Sequence, residues 1–339
     1  MPNPIVVEVL RGDRVESAHR GAGLVVDADG GVVFAFGDVE RPVYPRSAVK
    51  ALQALPLIES GAADRLDLSE REIALACASH SGEDEHVALA RDMLAKAGRD
   101  EGVLECGAHW PLGEAAARAL ARSGGNPSAL HNNCSGKHAG LVCVACAFGI
   151  EPKGYVAWDH PAQREVTAAL ADVTQAKLDE ETRGVDGCSI PTYAISLRAL
   201  AHGFARFASG HGLSPARAKA ARRIRAAVAA HPSLIAGPGR FDTEVMQILG
   251  PSAFTKTGAE GAYCAALPEL GLGLAIKADD GGGRAAQAMI AALLRRFGGF
   301  DDRRNARLAP FAAPRPTNWS GIEVGALRPA GPLAVAKGQ

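Results

Sequence analysis

Lysine is the basic side chain whose proton a protein can tune, and this chain uses it sparingly. Only nine of its 37 basic residues are lysines, the rest being arginine. Guanidinium keeps its proton inside proteins, whereas an amine can be made into a base or a metal ligand. Three of the nine stand in short segments of serine, cysteine and glycine: Lys50 in YPRSAVKALQAL, Lys137 in HNNCSGKHAG and Lys256 in FTKTGAEG. These are the places to look for chemistry.

Ser47 precedes Lys50 by one helical turn, and side chains so spaced on a helix share a face with Cβ atoms about 5–6 Å apart. The pair reads as nucleophile and base, with helix N-H groups available to an oxyanion. The plainer reading makes Ser47 a helix cap, although a full capping box would place Glu or Gln where Lys50 stands. In ACASHSGEDEH, Ser81 ahead of the acids at 83–85 reads as such a cap. Ser79 has no comparable task, and His80 reads as a surface or satisfied core residue. Lys256 falls on a β-branched run ending in a glycine that permits close approach. An edge-strand lysine guarding the sheet is its plain alternative.

Cys134 sits among Asn132, Asn133 and Ser135, three residues before Lys137. Cys143 and Cys146 lie on an apolar helix and read as core thiols. Cys188, in RGVDGCSIPTYA beside Asp186, is a second thiol in a turn-rich setting. Two such thiols could share a tetrahedral zinc, though the spacing matches no finger or ribbon and an amine ligand must first lose its proton.

The elements that must carry these residues follow from pattern. PIVVEVLRG, RVESAHRG and AGLVVDADGGVVFAFGD read as strands joined by turn residues. Helical periodicity then covers 47–60 (interrupted at Pro56), 69–78, 82–97, 113–123, 135–148, 161–172, 192–209 and 214–230. Strand pattern returns in AFTKTG, GAYCAALPE and LGLAIKAD, followed by a helix over 284–297 and a last strand in GIEVGALRP. The expectation is an α/β (α+β) domain over 1–339. An antiparallel sheet from about 4–40 and 252–328 is flanked by helices, with a helical part at about 47–230.

Thirty-seven basic and 37 acidic residues cancel, so nothing in the overall charge points to nucleic acid or an anionic membrane. The N-terminal apolar run is too short for a signal peptide or a spanning helix. Seven cysteines, an odd number, suit reduced thiols and a cytoplasmic setting.

Ser-x-x-Lys, an inner serine segment and a late Lys-Thr-Gly, in that order, follow the layout of serine acyl-transfer enzymes of the β-lactamase and penicillin-binding class. Taken with VDGCSIPTYAISL, HPSLIAGPGRFDTEVM and IKADDGGGRA, the segments from about residue 4 to 326 resemble the rhizobial-type, class 3 L-asparaginases (asparaginase II). That family has a serine β-lactamase-like fold. The resemblance implies two Ser–Lys pairs, Ser47 with Lys50 and Ser79 with Lys256. It implies a zinc ion on Cys134, Lys137 and Cys188, and substrate contacts from Arg46, Asp186 and Cys134. It further implies a cytoplasmic homodimer that hydrolyses L-asparagine to L-aspartate and ammonia; amide chemistry then calls for an acyl-enzyme, with Ser47 favoured as nucleophile over Ser79 because it sits at a helix N-terminus and has the closer lysine. Alternatives from the residues alone are another serine amidohydrolase, a glutaminase or β-lactamase-like enzyme, and a zinc-binding module without catalysis.

Overall fold

The computed structural model describes residues 2–334. The strands in chain order are β1 (Ile5–Arg11), β2 (Arg14–Val26), β3 (Val32–Phe36), β4 (Pro42–Val43), β5 (Arg183–Val185), β6 (Pro191–Tyr193), β7 (Ile195–Ser196), β8 (Phe254–Thr257), β9 (Ala262–Leu267), β10 (Leu272–Ala278) and β11 (Ala326–Pro329). The helices are α1 (Lys50–Gln53), α2 (Leu55–Glu59), α3 (Ala62–Arg65), α4 (Glu70–Ala76), α5 (Asp84–Lys96), α6 (Glu114–Arg122), α7 (Ser135–Ala147), α8 (Pro161–Thr174), α9 (Leu197–Ser209), α10 (Pro215–Ala230), α11 (Ser233–Ala236), α12 (Phe241–Leu249), α13 (Gly283–Phe297) and α14 (Asp302–Ala312).

These elements gather into two compact units. The first holds the described residues up to Ala48, Ile195–His211 and those from Thr255 onward. Its sheet runs in the order β11-β1-β2-β10-β9-β8, with β3 beside the second half of β2. The pairings are antiparallel, and the last strand lies against the first, Val9 facing Leu327. The sheet is therefore built from both ends of the sequence, as the strand pattern predicts. Asp27 closes the β2–β3 turn by accepting from the N-H groups of Asp29 and Gly31 at 3.0 and 2.8 Å, the side-chain turn that aspartate favours. Every residue of β9 is buried, because α9 and α13 both pack on β9 and β10. A strand covered on both faces reads as the unbroken apolar run AYCAAL.

Two expectations change here. The helix read from 192 begins only at Leu197, since the β-branched and aromatic residues before it form β6 and β7. It packs in the sheet-bearing unit rather than among the other central helices. The pattern also passes over α14, whose Asp301 cap accepts from the N-H of Arg304 at 2.7 Å.

The second unit, Val49–Ala194 with Gly212–Phe254, is nearly all helix. Its centre is α7, buried at every position from Ser135 to Ala145, as a helix apolar on all sides must be. It packs against α2, α3, α4, α5 and α8. Gly136 allows this at α4, because a Cβ there would stand 2.4 Å from the Leu75 carbonyl oxygen. Among the described residues, no helix is long and apolar enough to cross a membrane.

Candidate active site

Ser47 lies in one 3-10 turn, Arg46–Val49, and the α-helix proper starts at Lys50. Val49 occupies the cap position and no side chain caps the helix there, so the reading of Ser47 as an ordinary N-cap fails. Arg46 has φ 52°, a left-handed conformation uncommon outside glycine. Within the same unit, a Cβ on Gly258 would come within 2.5 Å of the Pro45 carbonyl oxygen. The glycine of Lys-Thr-Gly thus lets the turn carrying Arg46 and Ser47 lie directly against the end of β8, where Lys256 is fully buried and its ammonium donates to the Thr257 carbonyl at 3.2 Å. β8 ends the strand order, as an edge strand does.

The second unit holds Lys50, Ser79, Cys134, Lys137, Asp186 and Cys188. Lys50 is fully buried, and its ammonium donates to the Ala78 carbonyl at 2.6 Å, the Asn133 carbonyl at 3.4 Å and Cys134 Sγ at 3.2 Å. It therefore ties the Ser79 segment to the Cys134 turn. Burial pulls its pKa down, opposed by the neighbouring Cys134.

Cys134 precedes α7, where Asn132 Oδ1 accepts from its N-H at 2.9 Å while the Asn132 amide donates to Cys106 O and Gly107 O. Lys137, in the first turn, donates to Cys188 Sγ at 3.0 Å across 51 residues of sequence. Cys188 sits in the β5–β6 hairpin, between Asp186 and a Ser189 of φ 78°. A hydrogen bond from the Cys188 thiol, then Lys50 and Lys137, holds Cys134 well below the ordinary thiol range against the cost of burial. The same bond, with desolvation, pushes Cys188 up. Lys137 is pushed up despite its burial, by Cys134, Cys188 and Asp186. Cys134, Cys188, Lys50 and Lys137 are thus all buried in one cluster, where unlike charges attract far more strongly than in water.

Two expectations resolve differently from each other. Ser81 does not cap α5; Glu83 takes that position in a reciprocal box with His86, and Ser81 Oγ donates to Glu83 at 3.2 Å. His80 is a satisfied core residue. Its backbone N-H donates to Asn133 O at 3.2 Å, and its Nδ1 accepts from the Gly82 N-H at 3.2 Å. The ring proton is then on Nε2, which donates to Ser135 Oγ at 2.9 Å, and that hydroxyl donates to Leu130 O. His86 stacks on it at 4.8 Å.

Residue types alone had not marked the pair His138 and Tyr155, whose hydroxyl accepts from Glu105 N-H at 2.9 Å and donates to His138 Nδ1 at 2.6 Å. Cys143 is buried and Cys146 half-buried on α7, as core thiols would be. All seven cysteines are free.

The pattern of a buried amine beside each short motif coincides with a family match over residues 7–329 to L-asparaginase II. The chain belongs to that family. Membership makes this L-asparaginase II relative an amidohydrolase acting on a small molecule. No curated protein sequence matches it significantly. Two solved structures are similar at low score: a Bacteroides dorei DSM 17855 protein assigned as a β-lactamase, at 14% identity over 77% of this chain and 85% of its own, TM-score 0.38; and a β-lactamase from Mycobacterium bovis, at 14% identity over 82% and 95%, TM-score 0.35.

Proposed function

We propose that this L-asparaginase II member hydrolyses the side-chain amide of L-asparagine, with Ser47 as nucleophile and Lys50 as its base. The family match over residues 7–329 carries the reading. The burial of Lys50, which lowers its pKa, supports the base role, since a base works best when its pKa lies near the working pH. Attack of the Ser47 hydroxyl on the carboxamide carbon forms a C–O bond as the hydroxyl proton passes to an amine. Collapse of the oxyanion expels ammonia, which leaves with a proton, and water then cleaves the acyl ester to aspartate. Ser79 and Lys256 are the second serine and lysine of this reading, and Arg46 and Asp186 hold the substrate's charged groups, with Cys134 beside them.

The donor set suits zinc: the Lys137 amine lies 3.0 Å from Cys188 Sγ and Cys188 shares a hydrogen bond with Cys134, which supports a three-ligand site with an open position. Among the described residues no three His, Cys, Asp or Glu side chains form a metal cluster, so the amine of Lys137 would have to serve as the third ligand. Cys134, Lys137 and Cys188 would hold the ion, and it would supply a Lewis acid that orients or polarises the substrate. A cytoplasmic homodimer with a serine β-lactamase-like fold belongs to the same reading.

The test is ammonia release from asparagine, glutamine and, for comparison, nitrocefin turnover, by the whole protein and by Ser47→Ala and Ser79→Ala. Loss of a nucleophile or of general base assistance costs at least about 100-fold, so one or both variants fall that far on asparagine. Full activity in both overturns the assignment of the serines.

A further inference from the structure

The helical unit contains, besides the residues described above, a cavity of about 510 Å³ formed by α2, α7, α8 and α10 and the loop after α7. That size takes a small organic molecule of a dozen or more non-hydrogen atoms. Its wall is apolar, made by Pro56, Val144, Phe148, Ile150 and Pro161. Phe148 is 45% exposed and is braced by Arg65, whose guanidinium lies 5.1 Å from the ring centroid while donating to Ala147 O. An aromatic face held open beside a cavity is a place for a flat or apolar body.

The charges lining the cavity select among such bodies. Its one lining cation, Arg217, is consumed: Nε and a terminal nitrogen bond both oxygens of Glu59 at 2.7 and 2.9 Å, and the other terminal nitrogen bonds Asp172 at 2.5 Å. A bidentate pair with one carboxylate and a bond to a second engage all three of its nitrogens and offset its charge. Glu165, also lining the cavity, is exposed and makes no hydrogen bond or ion pair among the described residues. The lining therefore carries a surplus of negative charge beside an apolar, aromatic wall.

We propose that this cavity binds an organic monocation with an apolar body, an aralkylamine in chemical class, whose ammonium is met by Glu165 and whose body lies along Phe148 and Val144. Its lining includes none of the residues of the Ser47 and Cys134 reading and does not depend on it.

The test is isothermal titration calorimetry of the whole protein with phenethylamine and with its anionic counterpart 3-phenylpropionate. The amine binds and the carboxylate binds at least several-fold more weakly. Glu165→Gln weakens the amine about threefold, as removal of one exposed charge partner does, and Glu165→Lys reverses the preference. Phe148→Ala weakens both ligands. The two substituted side chains are exposed, and an unchanged urea midpoint confirms that each variant is folded. Absence of binding by the amine, equal binding of the two ligands, or wild-type affinities in the Glu165 and Phe148 variants overturns the proposal.

Discussion

Lowering pH should destabilise this protein in a range where most proteins are still near their optimum, because the helical unit buries three imidazoles whose pKa values are lowered. His80 is pushed well below the ordinary histidine value by burial, with His86, Lys50, His109 and His131 facing it and adding repulsion. His86 is lowered by burial too, against Ser233 O and the carboxylates of Glu83 and Glu85. His138 is pushed well below by burial and by Lys137 and Lys50. In the unfolded chain each titrates near pH 6.5, so between the lowered folded values and about 6.5 the unfolded state binds the extra protons. Stability is then complete above about pH 6.5 and is lost as pH falls towards the folded values. From pH 7.5 to 5.5 a histidine held well below that range costs about 1.4 kcal/mol, so His80 and His138 together cost about 3, and His86 adds to this. With an m-value of about 3 kcal/mol/M, the urea midpoint by circular dichroism moves down by about 1 M. His86→Gln removes part of that dependence. The His80 contribution has a functional edge, since a proton on Nδ1 ends its acceptance from Gly82 N-H and loosens the segment that carries Ser79. A midpoint constant between pH 7.5 and 5.5 would refute the reasoning.

Lys50→Met removes three donations, to Ala78 O, Asn133 O and Cys134 Sγ, and leaves the thiolate with one fewer cation. About 3–5 kcal/mol of stability should go, as when one partner of a buried pair is deleted, read as a fall in urea midpoint; a loss below 1 kcal/mol contradicts the clamp. Glu72→Ala should cost a similar amount without touching activity. Its buried carboxylate accepts from Ser69 N-H, Ser69 Oγ and Lys96 at 2.6–2.7 Å, giving α4 its capping box. Gly136→Ala should cost about 1–3 kcal/mol by overpacking α7 on α4, with a larger effect than Gly283→Ala at the start of α13, where a Cβ meets nothing. Cys188→Ser should lower zinc bound per chain, measured by atomic emission after dialysis, while Cys264→Ser leaves it unchanged; equal zinc in both variants would remove Cys188 from the ligand set.

The sheet was legible in the sequence because its strands keep their own patterns: the paired β1 and β2, the Asp27 turn and the unbroken apolar β9 each show their environment in residue types. α14 was not, since DDRRNARLAPFA carries charges and Pro310 and buries little besides Leu308 and Ala312. The start of α9 was misplaced because an apolar, aromatic run ahead of Ser196 fits a strand or a helix equally until its partners are known. For the site, local chemistry picked out Lys50, Cys134 and Lys137 one at a time. Spacing could not show that the Lys137 ammonium would reach a sulfur 51 residues away, because that contact is set by how the β5–β6 hairpin meets α7. His80 was legible only as either a surface or a satisfied core residue, because nothing in a residue's letter distinguishes burial from exposure, and His138 was not marked at all.

A lysine in the first turn of α7 works against the helix dipole, and so does Lys50 at the start of α1, yet both are buried. Each ammonium finds a sulfur: Lys50 that of Cys134 and Lys137 that of Cys188. The thiolate at Cys134 answers both cations and also sits at the positive end of α7, where an anion is favoured. The sulfur and the amines therefore fix one another's protonation. Burial lowers Lys50 while the sulfurs and Asp186 raise Lys137, so of the two amines Lys50 is the one more readily freed of its proton.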